Sequence, residues 1–156
     1  MNFIITLFFL GFAHADTPCT HTETSFSCVE YVKNYDGDTV QFNIPGVHKL
    51  LGNKVSVRIN GIDTPEIKTK DSCEKSSSRI ARNLVRGLLK NAQSIELRNV
   101  KRGKYFRILA DIYADGKNIA DLLIKNKLAV RYFGKTKIQV DWCHKRTPAS
   151  LKGEKK

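Results

Sequence analysis

Hydrophobic and polar residues alternate along several short stretches of the chain, a pattern typical of half-buried β-strands. The clearest case covers residues 54–60, where two valines and an isoleucine share one face and Arg58 lies on the other. The Asp-Gly dipeptide within Asp36-Gly37-Asp38 predicts a turn between two such strands. The other predicted strands cover residues 29–35, 39–44, 94–98 and 106–113, and residues 129–133 are a candidate for an additional short strand.

Apolar residues recur at helical spacing in two further stretches. The longer predicted helix covers residues 76–92, with basic side chains opposite its apolar face and serines 76–78 as candidate N-terminal caps. A shorter helix is predicted over residues 118–127. Residues 43–52 and 61–72 contain proline, glycine or many charges, and they are predicted to be loops.

The predicted order of elements is β-β-β-α-β-β-α, which defines an α+β domain with helices beside a small, bent sheet. Five short strands with a helix between the third and the fourth fit an oligonucleotide-binding (OB-fold) β-barrel with flanking α-helices. The length of 156 residues and a hydrophobic content of 41% allow one domain with a real core.

The N-terminal segment has the pattern of a secretory signal peptide. Residues 3–13 are an apolar run that is shorter than the roughly 20 residues a spanning helix needs. The run ends in Ala13-His14-Ala15, an A-x-A cleavage site, so residues 1–15 are predicted to be removed. A buried N-terminal strand is the alternative. We therefore expect a secreted or periplasmic protein that has no membrane association in its mature form.

The chain carries a formal net charge of +12, which indicates a polyanionic partner. Nucleic acid, an anionic membrane surface and acidic polysaccharide all satisfy this charge, which does not select among them. The charge excludes an acidic, solvating protein. Residues 16–143 are predicted to form the domain, and residues 144–156, which are polar and basic with a proline and a glycine, are predicted to be a flexible tail.

The four cysteines all lie after the predicted cleavage site. No two of them are spaced as C-x-x-C, and Cys143-His144 has no companion pair, so a zinc site is disfavoured. An exported protein is expected to form disulfides, and four cysteines allow three pairings.

Two acidic segments each follow a predicted strand and supply candidate chemistry. Residues 36–39 read Asp-Gly-Asp-Thr, and residues 63–66 read Asp-Thr-Pro-Glu. Their oxygen ligands suit Ca²⁺ or Mg²⁺ and do not suit zinc. Either segment alone is an ordinary turn.

Basic side chains near these segments complete a set suited to phosphodiester hydrolysis. Arg58 lies five residues before Asp63, and Arg107 enters a later strand. A metal ion can polarise a phosphoryl oxygen, guanidinium groups can bind the phosphate, and a spare carboxylate can deprotonate water.

Four ordered motifs resemble the staphylococcal-nuclease-like (thermonuclease) family over about residues 32–132. They are Asp36-Gly37-Asp38-Thr39-Val40, the nonapeptide Arg58–Glu66, Lys104-Tyr105-Phe106-Arg107, and the hexapeptide Ile112–Lys117. The resemblance implies an OB-fold barrel and Ca²⁺-dependent cleavage of DNA and RNA that leaves 3′-phosphates.

The resemblance also implies a role for each matched residue. Asp38 and Asp63 would bind calcium through their carboxylates, and Thr64 through its backbone carbonyl. Glu66 would be the general base, and Arg58 and Arg107 would bind the phosphate. Lys104 and Tyr105 would contact a neighbouring phosphate, and Tyr132 would stack on a base.

The chain departs from the family in three places: Ile108 replaces a glycine, the tyrosine motif at Tyr132 is shifted by one residue, and the third family helix is missing or shortened. Because that helix would otherwise anchor the C-terminal segment, we prefer the pairing Cys73–Cys143 with Cys19–Cys28. We expect a monomer acting on DNA and RNA. The alternatives are a catalytically inactive nucleic-acid-binding OB-fold module and a cationic surface-acting protein.

Overall fold

The computed structural model describes residues 19–134 and 139–143. The predicted signal peptide at 1–15 and the predicted tail at 144–156 lie outside the described residues. The described helices are α1 (Lys49–Gly52), α2 (Ser72–Asn91) and α3 (Ile119–Lys125). The strands are β1 (Glu30–Asn34), β2 (Thr39–Asn43), β3 (Val55–Ile59), β4 (Ile62–Asp63), β5 (Ile95–Arg102), β6 (Ile108–Ala114), β7 (Lys117–Asn118) and β8 (Val130–Arg131).

A six-stranded mixed sheet forms the centre of the molecule, in the order β1-β2-β3-β6-β5 with β7 beside β6. Its pairs are antiparallel except for β3 and β6, which run parallel with Arg58 opposite Leu109. A second, two-stranded sheet pairs β4 with β8. The α+β class is confirmed. The predicted count of five strands is too low, because several two-residue strands lie in short stretches with too few residues to show alternation.

The segment before β1 pairs with β5, at the other edge of the main sheet. Phe26 and Leu97 exchange two backbone hydrogen bonds of 2.9 Å, and the Val29 N–H donates to the Ile95 carbonyl at 3.1 Å. These bonds bring the two ends of the sheet together.

Helix α2 begins four residues earlier than predicted. Asp71 is its N-cap and accepts hydrogen bonds from the backbone N–H groups of Cys73 and Glu74. Serines 76–78 therefore do not cap the helix. Ser77 and Ser78 are buried on its inner face, next to the helical stripe of Ala81, Val85 and Leu89. The prediction placed the start at the apolar run and overlooked the polar first turn.

Four other segments differ from the prediction. The predicted loop 43–52 contains helix α1, and the predicted loop 61–72 begins with β4. Strand β5 continues four residues past its predicted end, because a bulge after Arg98 interrupts the alternation of side chains. Residues 104–106 form a 3₁₀ turn, so β6 begins at Ile108. Ile108 pairs with Val57 and Arg102.

The core lies between the sheet and helices α2 and α3. Its fully buried side chains come from strands and helices that are distant in sequence, and the largest are Phe42, Ile59, Ile62, Leu89, Leu97, Ile112, Ile119 and Leu123. No helix within the described ranges is both long enough and apolar enough to cross a membrane.

Both preferred disulfides are present in the structure. Cys19 is bonded to Cys28 near the start of the described chain, and Cys73 is bonded to Cys143. The second bond fastens residues 139–143 to the first turn of α2. The structure therefore confirms the predicted pairing.

Replacing both Cys73 and Cys143 by serine should lower the free energy of unfolding by about 4 kcal/mol, because a long loop loses much chain entropy when it is closed. In the control variant, serine replaces Cys19 and Cys28. These two cysteines are 9 residues apart in the sequence, whereas Cys73 and Cys143 are 70 apart, so the control should lose only about 3 kcal/mol. Urea denaturation of both variants measures the difference. A larger loss in the control variant would contradict the prediction.

Candidate active site

Arg58 joins two buried carboxylates that belong to different segments of the chain. Its Nη1 lies 2.9 Å from Oδ1 of Asp38, and its Nη2 lies 3.0 Å from Oδ1 of Asp63. Asp38 and Asp63 are 3% and 4% exposed. The structure therefore brings together three of the predicted site residues in one cluster, which we call the Asp38–Arg58–Asp63 cluster.

Asp38 is held by the turn between β1 and β2. Oδ1 of Asp36 accepts hydrogen bonds from the backbone N–H groups of Asp38 and Thr39, which closes the turn. The carbonyl of Asp38 accepts from the Ile59 N–H at 2.8 Å, and the Thr39 hydroxyl donates to the Asp38 carboxylate at 3.1 Å. These bonds fix the carboxylate beside Arg58 of β3.

Asn34 ties this turn to helix α2. Its side-chain amide donates to the carbonyls of Asp36 at 2.8 Å and of Arg82 at 2.9 Å. Its side-chain oxygen accepts from the hydroxyl of Tyr31 at 2.6 Å. Both polar atoms of this buried amide therefore have partners, and the two bonds of its nitrogen link the turn to helix α2.

Asp63 is held by the small second sheet. It lies opposite Val130, and its neighbour Ile62 lies opposite Arg131. The Tyr132 N–H donates to the Gly61 carbonyl at 3.0 Å, which extends the pairing past Ile62 and Arg131 by one residue on each strand. The same pairing that places Asp63 also places Tyr132.

Gly37 lets the Asp36–Asp38 turn approach both α2 and Thr64. A Cβ atom at Gly37 would lie 2.8 Å from Cβ of Ala81 and 3.1 Å from Cγ2 of Thr64. Thr64 is 4% exposed, so this predicted site residue is buried against the turn that carries Asp38.

Burial governs the electrostatics of the cluster. The pKa of Asp38 is raised from 3.8 to about 7, mainly because the carboxyl group is buried, and the Arg58 guanidinium offsets only part of this rise. The negative charges of Asp36 and Asp63 contribute to the same rise.

The donor set fits a calcium ion. Buried carboxylates from two segments, next to the backbone at Thr64, are the hard oxygen ligands that Ca²⁺ prefers. A divalent cation would also favour the ionised form of Asp38. Within the described residues, one further group of possible ligands, Asp71 with Cys73 and Cys143, does not fit a metal ion, because its two sulfur atoms are bonded to each other.

Arg58 also lines a cleft of about 710 Å³. Leu109 lies opposite Arg58 in the β3–β6 pair, so the two side chains share one face of the sheet. Arg107 lies two residues before Leu109, and side chains two residues apart in extended backbone point to the same face, so both arginines lie on that face. The predicted site residues that line this cleft are Arg58, Lys104, Tyr105, Arg107 and Tyr132.

Glu66 lies outside that cleft, three residues after Asp63. Its side chain is exposed, and its backbone N–H donates to Oε1 of Glu74 at 3.1 Å. Glu74 is the third residue of α2 and was missed by the sequence analysis. Asp71-Ser72-Cys73-Glu74 has the spacing of a capping box, which would have indicated the helix start.

The fold and the cluster define an α+β domain with a charged site on one face of its sheet. A family model described as staphylococcal nuclease homologue matches residues 56–149. The chain belongs to this family.

Two relatives come from Bacillus subtilis (strain 168). Endonuclease YncB is 32% identical over 120 residues, which are 74% of this chain and 53% of that protein. SPbeta prophage-derived endonuclease YokF is 35% identical over 97 residues, which are 60% of this chain and 30% of that protein. This chain thus spans about half or less of these two relatives.

Replacing Gly37 by alanine should destabilise the protein by about 1–3 kcal/mol, because the added methyl group would overlap Ala81 of the helix. Gly87→Ala is the matched control. It lies inside α2 with no atom within 4 Å of a new Cβ, and it should stabilise the protein by about 0.5–1 kcal/mol. Thermal unfolding measures both effects. A Gly37→Ala variant as stable as the wild type would contradict the close approach.

Proposed function

We propose that the chain is a calcium-dependent, sugar-nonspecific endonuclease that hydrolyses phosphodiester bonds in DNA and RNA and leaves 3′-phosphates. The observation that carries the proposal is the Asp38–Arg58–Asp63 cluster at the edge of a cleft that also contains Arg107. The endonuclease names of the two relatives support the same activity.

Asp38, Asp63 and the Thr64 carbonyl would hold the calcium ion, which would polarise a phosphoryl oxygen and stabilise its developing charge. Two bonds to carboxylates leave Arg58 with further N–H groups, since a guanidinium has five. Arg58 and Arg107 would donate to the non-bridging oxygens, whose charge increases in the transition state.

Glu66 would accept the proton of the attacking water. The oxygen of this water forms the new bond to phosphorus, and the bond from phosphorus to the 5′ oxygen breaks. The departing oxygen takes up a proton to give a 5′-hydroxyl, and the phosphate stays on the 3′ side. The bond from Glu74 to the Glu66 N–H supports this role because it fixes the segment that carries the base.

We also propose export to a periplasmic or extracellular compartment, and a monomer. The two disulfides support an oxidising location. The bonds that join residues 26–29 to β5 support a closed OB-fold barrel as the form of the sheet.

Incubation with circular DNA and with RNA, in calcium or in excess chelator, tests the proposal. We expect degradation of both polymers in calcium, 3′-phosphate ends, and no degradation in chelator. The Glu66→Gln variant should cut about 10²–10⁴-fold more slowly with similar substrate affinity, because it loses the proton acceptor and keeps its shape.

Glu30→Gln is the matched control, since Glu30 is an exposed glutamate on the edge strand β1. It should cut at the wild-type rate. Retention of nucleic acid without cutting would indicate the inactive binding module instead. Full activity in chelator would contradict the calcium site, and a Glu66→Gln variant with the wild-type rate would contradict the general base.

A further inference from the structure

Two consecutive aromatic rings project into solvent beside the cleft. Tyr105 is 91% exposed and Phe106 is 82% exposed, in the 3₁₀ turn that precedes β6. The family resemblance implies that Tyr105 contacts a phosphate, whereas it implies no role for Phe106. An exposed phenylalanine adds no buried surface to the fold, so its position needs another explanation.

The backbone at these rings is strained. The φ angles of Tyr105 and Phe106 are 58° and 57°, in the left-handed region that disfavours bulky side chains. The turn is closed beneath them by hydrogen bonds from the Gly103 N–H to the Arg107 carbonyl at 2.7 Å and from the Arg107 N–H to the Lys104 carbonyl at 3.3 Å. Such strain is concentrated at ligand-binding sites.

Positive charge surrounds Phe106. The guanidinium carbon of Arg102 lies 5.5 Å from the centre of the Phe106 ring, within the range of a cation–π contact. Lys101, Lys104 and Arg107 are also close in sequence, and residues 101–110 include no aspartate or glutamate. A ring among cations suits a ligand that has both flat apolar faces and negative charge.

We propose that Phe106, backed by Arg102, is a stacking subsite for an unpaired nucleobase on a strand that passes through the cleft. The proposal rests on the proposed nuclease function. Stacking on aromatic rings beside a basic groove is a general way to bind single strands. Because bases within a duplex are already stacked on each other, the subsite acts on single-stranded segments.

The position of the turn favours nucleic acid over an anionic membrane surface. Residues on both sides of Phe106, Tyr105 and Arg107, line the same cleft as Arg58. A polymer whose phosphate is held at the two arginines therefore passes next to the Phe106 ring. A membrane contact would have no use for this proximity.

Phe106→Leu tests the subsite, because leucine keeps an apolar side chain and a comparable backbone strain but removes the ring. Phe106→Tyr is the matched control that keeps the ring. Fluorescence anisotropy in chelator measures the binding of a labelled single-stranded oligonucleotide, a duplex of the same length and an abasic strand. This binding assay does not require cleavage, so its failure is distinguishable from failure of the nuclease proposal.

We expect Phe106→Leu to weaken binding of the single strand by about 5- to 100-fold, the equivalent of losing one stacked base. Binding of the duplex and of the abasic strand should change less than about twofold, and Phe106→Tyr should bind like the wild type. Equal losses on all three ligands, or no loss on the single strand, would overturn the proposal. A Phe106→Leu variant that binds phosphatidylserine vesicles less tightly, while its binding to all three nucleic acids is unchanged, would overturn the proposal in favour of a membrane contact.

Discussion

The bridge that Arg58 makes between Asp38 and Asp63 is the constraint on which the site depends. Two carboxylates would repel each other in a buried position, and one guanidinium holds both within hydrogen-bond distance. Lysine could not replace it with the same geometry, because its ammonium group is a single point and a guanidinium is a planar fork. The Asp36–Asp38 turn and the β4–β8 pair deliver one carboxylate each to this bridge. Burial raises the pKa of Asp38 despite this bridge, and a divalent cation beside the carboxylate would favour its ionised form.

The remaining structure holds these two segments in place. Asn34 and the bare Cα of Gly37 fix the turn against α2, and the Glu74 side chain fixes the loop after Asp63 to the first turn of the same helix. The Cys73–Cys143 disulfide lies in that first turn and fastens a segment that includes the buried Trp142. A cavity of about 450 Å³ is lined by Asp63, Glu74 and Trp142. The first turn of α2 therefore carries both the disulfide and Glu74, which lines the same cavity as Asp63.

The parts of the fold with a regular side-chain period could be predicted from the sequence. The alternation around Arg58 placed β3 correctly, and the apolar stripe of α2 identified the helix but not its polar first turn. Strand β4 could not be predicted from the alternation of side chains, because it has only two residues and its partner β8 is far along the chain. The approach of Asp38 to Asp63 is a tertiary contact, which the resemblance implied and spacing alone did not. The Glu74 bond was visible only as a capping-box spacing, whose glutamate here binds Glu66 and not the N-cap.

A calcium titration by calorimetry tests the central claim, that the Asp38–Arg58–Asp63 cluster is a cation site. Wild-type protein and Asp63→Asn are compared, with Asp121→Asn as the matched control. Asp121 is an exposed carboxylate that pairs with Arg131 on the surface. We predict one calcium ion bound by the wild type and the control, and at least about tenfold weaker binding by Asp63→Asn, because affinity follows the charge of the ligands. Circular dichroism shows that each variant is folded. A folded Asp63→Asn variant with wild-type calcium affinity would contradict the account.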